Sequence, residues 1–121
     1  METEGKVYDL EERSFRFALA VRGCLATGRW TQTQWTDVNQ LLRSSGSVAA
    51  NYIEANNAVS KSDFGYRIAI SKKEAAESCL WIRLLGETTP TESLKETLRT
   101  LYREADEITR ILATILRNSQ P

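Results

Sequence analysis

Two glutamate pairs carry the spacing in this chain that comes nearest to catalysis. Glu74-x-x-Glu77 and Glu104-x-x-Glu107 each set two carboxylates one helical turn apart. Magnesium favours several hard oxygen ligands, and all-helical nucleotide pyrophosphohydrolases hold it with acidic pairs of this general kind. The neighbouring residues point to a plainer reading. Lys72 and Lys73 adjoin Glu74, and Arg103 adjoins Glu104, which suits ion pairs on a solvated helix flank. The sequence contains no histidine. That removes Glu-x-x-His di-metal bundles and the histidine-based nucleophile arrangements. No glycine-rich phosphate loop is present; Gly46 and Gly65 fall inside helical patterns. The expectation is therefore a non-enzyme with no catalytic residue, no metal and no cofactor.

A second constellation is polar rather than acidic. Arg43, Ser47, Asn51 and Glu54 follow one another at steps of four, four and three, so they share one side of a helix. The next helical segment offers Arg67, Lys72, Lys73, Glu74 and Arg83. Two readings follow. One is a network between the two helices, within or between subunits, that fixes their register. The other is a groove for phosphate or for a partner peptide. The first is preferred.

Four helices position these groups, at about 9–27, 35–57, 61–85 and 90–117. Asp9 with Glu12 and Ser60 with Asp63 read as N-terminal caps. Thr89, with Pro90 at the first helical position and Glu92 beyond, reads as a third. Gly28 and Gly86 read as stops. The apolar stripes are Leu10, Ser14, Phe17, Val21, Cys24; then Val38, Leu41, Ser45, Val48, Tyr52, Ala55. The third is Phe64, Ile68, Ser71, Ala75, Ser78, Ile82, Leu85, and the fourth Leu94, Leu98, Leu101, Ala105, Ile108, Leu112, Ile115. Steps of three and four throughout indicate helices packed nearly parallel or antiparallel. Short connections make sequential neighbours antiparallel. The fold expected is all-α, a single-domain up-down-up-down four-helix bundle over residues 1–121.

The segment Leu41–Ala55 stands out because Ser44, Ser45, Gly46, Ser47, Ala49 and Ala50 crowd its middle. Serine and glycine form helices poorly, so packing must hold this one. Small side chains allow another backbone to come close. Other helices carry apolar residues off their stripes: Phe15 and Leu19 on the first, Ile70, Trp81 and Leu84 on the third, with Leu80 nearby. A helix that is apolar on more than one face has more than one neighbour. Subunit contact through these residues, in a homo-oligomer, is the expectation.

Composition sets the remaining bounds. The 121 residues fit one domain, with 41% hydrophobic residues and 16 basic against 16 acidic groups. A balanced chain has no global field to draw in nucleic acid or an anionic membrane. Met1–Gly5 is acidic without an apolar run, and no segment reaches the ~20 apolar residues that span a bilayer. Cys24 and Cys79 have no disulfide or zinc spacing and read as small apolar fillers. A cytoplasmic protein that does not enter a membrane is expected.

Several stretches together resemble a known family. They are Tyr8-Asp9-Leu10-Glu11-Glu12-Arg13, Arg43-Ser44-Ser45-Gly46-Ser47 and Ala50-Asn51-Tyr52-Ile53-Glu54-Ala55. Ser60-Lys61, Asp63-Phe64, Lys73-Glu74-Ala75, Glu77-Ser78 and Trp81-Ile82-Arg83-Leu84-Leu85 follow in order. The chain resembles the bacterial four helix bundle protein family, also called the 23S ribosomal RNA intervening-sequence protein family. The resemblance implies a small cytoplasmic four-helix bundle that assembles as a homopentameric ring. Some members are encoded within insertions in ribosomal RNA genes. A more distant relative is an accessory protein of diversity-generating retroelements that engages a reverse transcriptase and nucleic acid. No catalytic residue carries over. Ala69, Ala76 and Cys79 stand where relatives often have basic residues, and Ala49 where they often have glycine. Fewer cations on the third helix mean weaker phosphate contacts, so nucleic-acid binding is the lesser expectation. A self-assembling interaction module is the greater one.

Overall fold

The computed structural model describes residues 9–120, in which four helices follow one another: α1 (Leu10–Thr27), α2 (Gln32–Asn56), α3 (Lys61–Thr88) and α4 (Glu92–Asn118). Packing runs α1 with α2, α2 with α3, α3 with α4, and α4 back to α1. This is the expected all-α four-helix bundle. α2 and α3 share the longest contact, while α1 is held more loosely by its two neighbours.

The stripes read from the sequence form the core. Phe17, Val21, Leu41, Ile68, Ile82, Leu98 and Ile108 are all buried in one cluster. Serine in these seams is paired. Ser14 donates to the Glu11 carbonyl (3.1 Å), Ser45 to Leu42 (3.3 Å) and Ser78 to Glu74 (2.9 Å), all within their own helices. A hydroxyl bonded to the preceding turn is thus no orphan.

The helix ends differ in three places from the sequence reading. α2 starts at Gln32 rather than Trp35, because Thr31 and Gln34 form a reciprocal capping box. α3 runs through Gly86 to Thr88. A glycine inside a helix costs about 1 kcal/mol without by itself ending it, and Gly86 does not take the left-handed conformation of a glycine cap. The Thr89 assignment falls with it. Thr89 closes α3, its N–H donating to the Leu85 carbonyl (3.0 Å), so Thr91 becomes the N-terminal flank of α4. Pro90 sits in the connection rather than in the first turn.

Two caps match expectation. Asp9 accepts from the Glu12 N–H at 3.0 Å, and Ser60 from the Asp63 N–H at 3.0 Å. At Gly28 the chain leaves α1, and the Trp30 ring lies directly on it, so a Cβ there would collide with the ring. The indole N–H of Trp30 donates to the Leu25 carbonyl (3.0 Å), which fixes the ring over the helix end.

Candidate functional site

The polar side of α2 meets α3 in a layered network. The Arg43 guanidinium donates to Glu74 (3.0 Å) and to Glu77 (2.9 Å), and its Nε donates to Gln40 (3.1 Å). Helical spacing aims both carboxylates at the same arginine. Glu74 is buried, which is tolerable because a charged partner meets it. Towards the core, the hydroxyls of Ser44 and Ser78 lie 2.7 Å apart, and Ser71 donates across to the Val48 carbonyl at 2.8 Å. Two helices reach this separation only with small side chains between them. The Ser-rich middle of α2 is the half of that contact that the sequence displays.

Two turns along α2, the Asn51 amide donates to the carbonyl and hydroxyl of Ser47, both at 3.0 Å. Its oxygen accepts from Arg67 (3.3 Å). The structure thus brings Arg43, Ser47, Asn51 and Glu74 into the α2–α3 junction, together with Arg67 and Glu77. It does not bring in the rest. Glu54 and Lys73 are exposed, Lys72 is half-buried, and Arg83 faces a separate groove on the α4 side of α3. The pairing of Glu74 with Lys72 or Lys73 is therefore corrected, as is its solvated placement. Adjacent residues on a helix point in different directions and rarely meet.

The α4 pair repeats the arrangement with α1. Arg13 grips Glu104 through two bonds (2.7 and 2.9 Å) and reaches Glu107 at 2.8 Å. The hydrogen bond to Glu104 raises the pKa of Arg13 above its usual range, and the Glu107 bond adds to this against partial burial. Arg103 is not the partner, for the same geometric reason as the lysines. Each Glu-x-x-Glu pair is thus held by one arginine of the facing helix, and the two pairs serve different junctions. Among the described residues, no three acidic, cysteine or histidine side chains cluster to hold a metal ion. What these groups do in this geometry is clamp helices.

Arg22 was not singled out in the sequence. It donates to the Ala18 carbonyl (3.0 Å), the Ser45 hydroxyl (3.3 Å) and the Leu42 carbonyl (3.3 Å), so it ties α1 to α2. A Cβ at Gly46 would lie 3.2 Å from the Arg22 guanidinium, so a side chain there would displace the arginine tip slightly. Nothing but the fold reveals this contact, since 24 positions of unrelated sequence separate the two residues. The thiols of Cys24 and Cys79 are free, and burial pushes the pKa of both upward, as inert fillers require.

The off-stripe apolar residues divide. Phe15 (53%), Leu19 (56%) and Leu84 (38%) are exposed, and Ile70 is half-buried. Trp81 is half-buried: its ring packs against the core, and its indole N–H is buried without a partner. Tyr66 and Leu80, also exposed, join Ile70 and Leu84 in a second stripe on α3. That stripe reads Tyr66, Ile70, Lys73, Glu77, Leu80, Leu84, in steps of four and three. No described helix is long and apolar enough to cross a membrane.

No curated protein matches this chain. A solved structure of a protein with unknown function, from the S23 ribosomal protein family of Bacteroides thetaiotaomicron VPI-5482, is similar. Its TM-score is 0.75 at 29% identity, over 88% of this chain and 96% of that one. The family model described as 23S rRNA-intervening sequence protein matches residues 7–114, which includes all three helix junctions that the arginines secure. The four-helix order, the Ser-Gly segment of α2 and this match agree: the chain belongs to the 23S rRNA-intervening sequence protein family.

Proposed function

We propose that this protein self-assembles through two unlike apolar faces into a closed ring and acts as a non-enzymatic interaction module in the cytoplasm. One observation carries the reading: apolar residues with exposed or half-buried side chains group on α1 and on α3, while exposed Trp35, Ile53 and Val59 lie on α2 and in the connection after it. Phe15 and Leu19 lie on α1, and Tyr66, Ile70, Leu80 and Leu84 lie on α3. α1 and α3 do not pack side by side, so the stripes sit on different sides of the bundle. A two-fold dimer pairs one patch with itself. Two different patches pair head to tail, and such contacts close into rings when the rotation permits. Five copies is the number that the family resemblance implies. The free thiols of Cys24 and Cys79 support a reducing compartment.

Light scattering at micromolar concentration tests the assembly, with a multiple of 13.7 kDa expected and five the anticipated number. Phe15→Glu with Leu19→Glu should reduce the mass to one chain, and so should Leu80→Glu with Leu84→Glu. These side chains are exposed, so helix content measured by circular dichroism should stay unchanged. Mixing the two variants leaves one intact junction per pair and should give dimers and nothing larger. A monomeric parent, or a variant that keeps the parent mass, sinks the ring.

A further inference from the structure

The C-terminal half of α3 and the N-terminal half of α4 enclose a groove of about 400 Å³. Arg83, Lys95, Arg99 and Arg103 line it, with Glu87 as the one carboxylate in the lining. The whole chain balances 16 basic against 16 acidic groups, so four cations against one acid is a local excess. On α4, Lys95, Arg99 and Arg103 recur every four residues and form a single row. Elsewhere Arg13 and Arg43 are matched across junctions and Arg110 meets Asp106 at 2.9 Å, while Arg22, Arg67 and Arg117 bond only to neutral groups among the described residues. In the groove Arg99 meets Glu96 at 2.9 Å. Among the described residues, Arg83, Lys95 and Arg103 have no carboxylate within 4.0 Å. Like charges that share one cleft repel, and an anion placed between them relieves that repulsion.

The walls are not charged throughout. Ile82 and Leu98 are buried beneath the cations, and the Tyr102 ring packs against the core while lining the groove. Gly86 leaves this floor open. A Cβ there would make an ordinary 3.9 Å contact with Leu98, so packing does not demand glycine. An apolar floor with one aromatic ring, beside several convergent cations and at this volume, suits a small molecule with an apolar and a polyanionic end.

We propose that the α3–α4 groove binds a nucleoside di- or triphosphate. Arg83, Lys95, Arg99 and Arg103 hold the phosphates, and Tyr102 with the apolar floor takes the base. The glutamate pairs are engaged at other junctions, so the site binds without hydrolysing. The proposal is independent of ring assembly, and the monomeric Phe15→Glu/Leu19→Glu variant should bind as the parent does.

Isothermal titration of the full chain with ATP, tripolyphosphate and adenosine, at 0.1 M salt, tests it. ATP should saturate one site per chain at micromolar concentration, on the order of the affinity that a few charge-assisted hydrogen bonds provide. Arg83→Gln and Arg103→Gln should each weaken binding about tenfold, the loss of one hydrogen bond to a charged group. Arg117→Gln, at the opposite end of α4, should change it less than twofold. Tripolyphosphate should bind at least threefold more weakly than ATP, and adenosine not measurably. Absence of saturable ATP binding below millimolar overturns the proposal, as does an equal loss in Arg117→Gln. Equal affinity for tripolyphosphate overturns the base contact. A single-stranded RNA that outcompetes ATP tenfold, and whose binding falls equally in Arg117→Gln, replaces the nucleotide site with a polymer track.

Discussion

The α2–α3 and α1–α4 junctions use the same device with different support. In both, one arginine grips a Glu-x-x-Glu pair on the facing helix. At α2–α3 the inner glutamate is deeply placed, with its side chain 10% exposed against 32% for Glu104. There the clamp lies over a layer of serines, with Ser44 on Ser78 and Ser71 on the Val48 carbonyl. The α1–α4 clamp has no such layer, and those helices touch over a shorter length. The comparison teaches that charge pairing aligns both junctions while close packing secures only one. An exposed ion pair contributes ~0–1 kcal/mol, whereas a buried carboxylate makes its partner indispensable.

The largest test of this difference lies in the serine layer. Ser78→Leu should destabilise by about 3 kcal/mol in urea unfolding, because the added side chain separates α2 from α3 and removes the cross-helix partner of the Ser44 hydroxyl. A cost below about 1 kcal/mol would mean the helices do not depend on close approach. Next come the clamps themselves. Arg43→Ala should cost about 2 kcal/mol, because it leaves Glu74 buried and unpaired. Arg13→Ala should cost about 1 kcal/mol. Glu74→Gln in the Arg43→Ala background should recover part of the loss. Equal costs for the two arginines would remove the distinction. In 1 M salt, where screening reaches about 3 Å, the Arg13 effect should shrink more than the Arg43 effect.

Hydrogen exchange measures the same contrast without substitution. Amides in the middle of α1, around Phe17 to Val21, should exchange at least tenfold faster than those of α3 around Ile68 to Ala75. Uniform protection would show that α1 is as firmly held as the rest. The smallest effect is set by pH. Burial raises the pKa of Cys24 and Cys79 above the usual 9.0, and that of Tyr52 above 10.0. The folded state then keeps protons that the unfolded state gives up, so their contribution is complete below about pH 9 and is lost as pH rises through the folded values. Cys24→Ala with Cys79→Ala should flatten the alkaline decline in melting temperature; an unchanged slope would assign it elsewhere.

Much of this was legible in the chain. Steps of three and four at Leu98, Leu101, Ala105, Ile108 and Leu112 mark a helix face wherever they occur, and the structure buries all five. Asp9 and Ser60 cap because cap chemistry is local. Thr89 misled because Thr89, Thr91 and Pro90 offer two local solutions, and the continuation of α3 past Gly86 chose between them. The glutamate pairs were visible, yet their partners were not. Lys72, Lys73 and Arg103 are near in sequence, while Arg43 and Arg13 lie 31 and 91 positions away.

The sequence by itself determined the four amphipathic helices, their antiparallel order and the small-residue wall of α2, since periodicity and short connections act locally. The tertiary structure alone decided which charges meet and that Arg22 lies over Gly46. It also gathered Arg83 with the Lys95–Arg99–Arg103 row into one groove. Those facts depend on the rotation and approach of whole helices, and close packing of distant residues sets both.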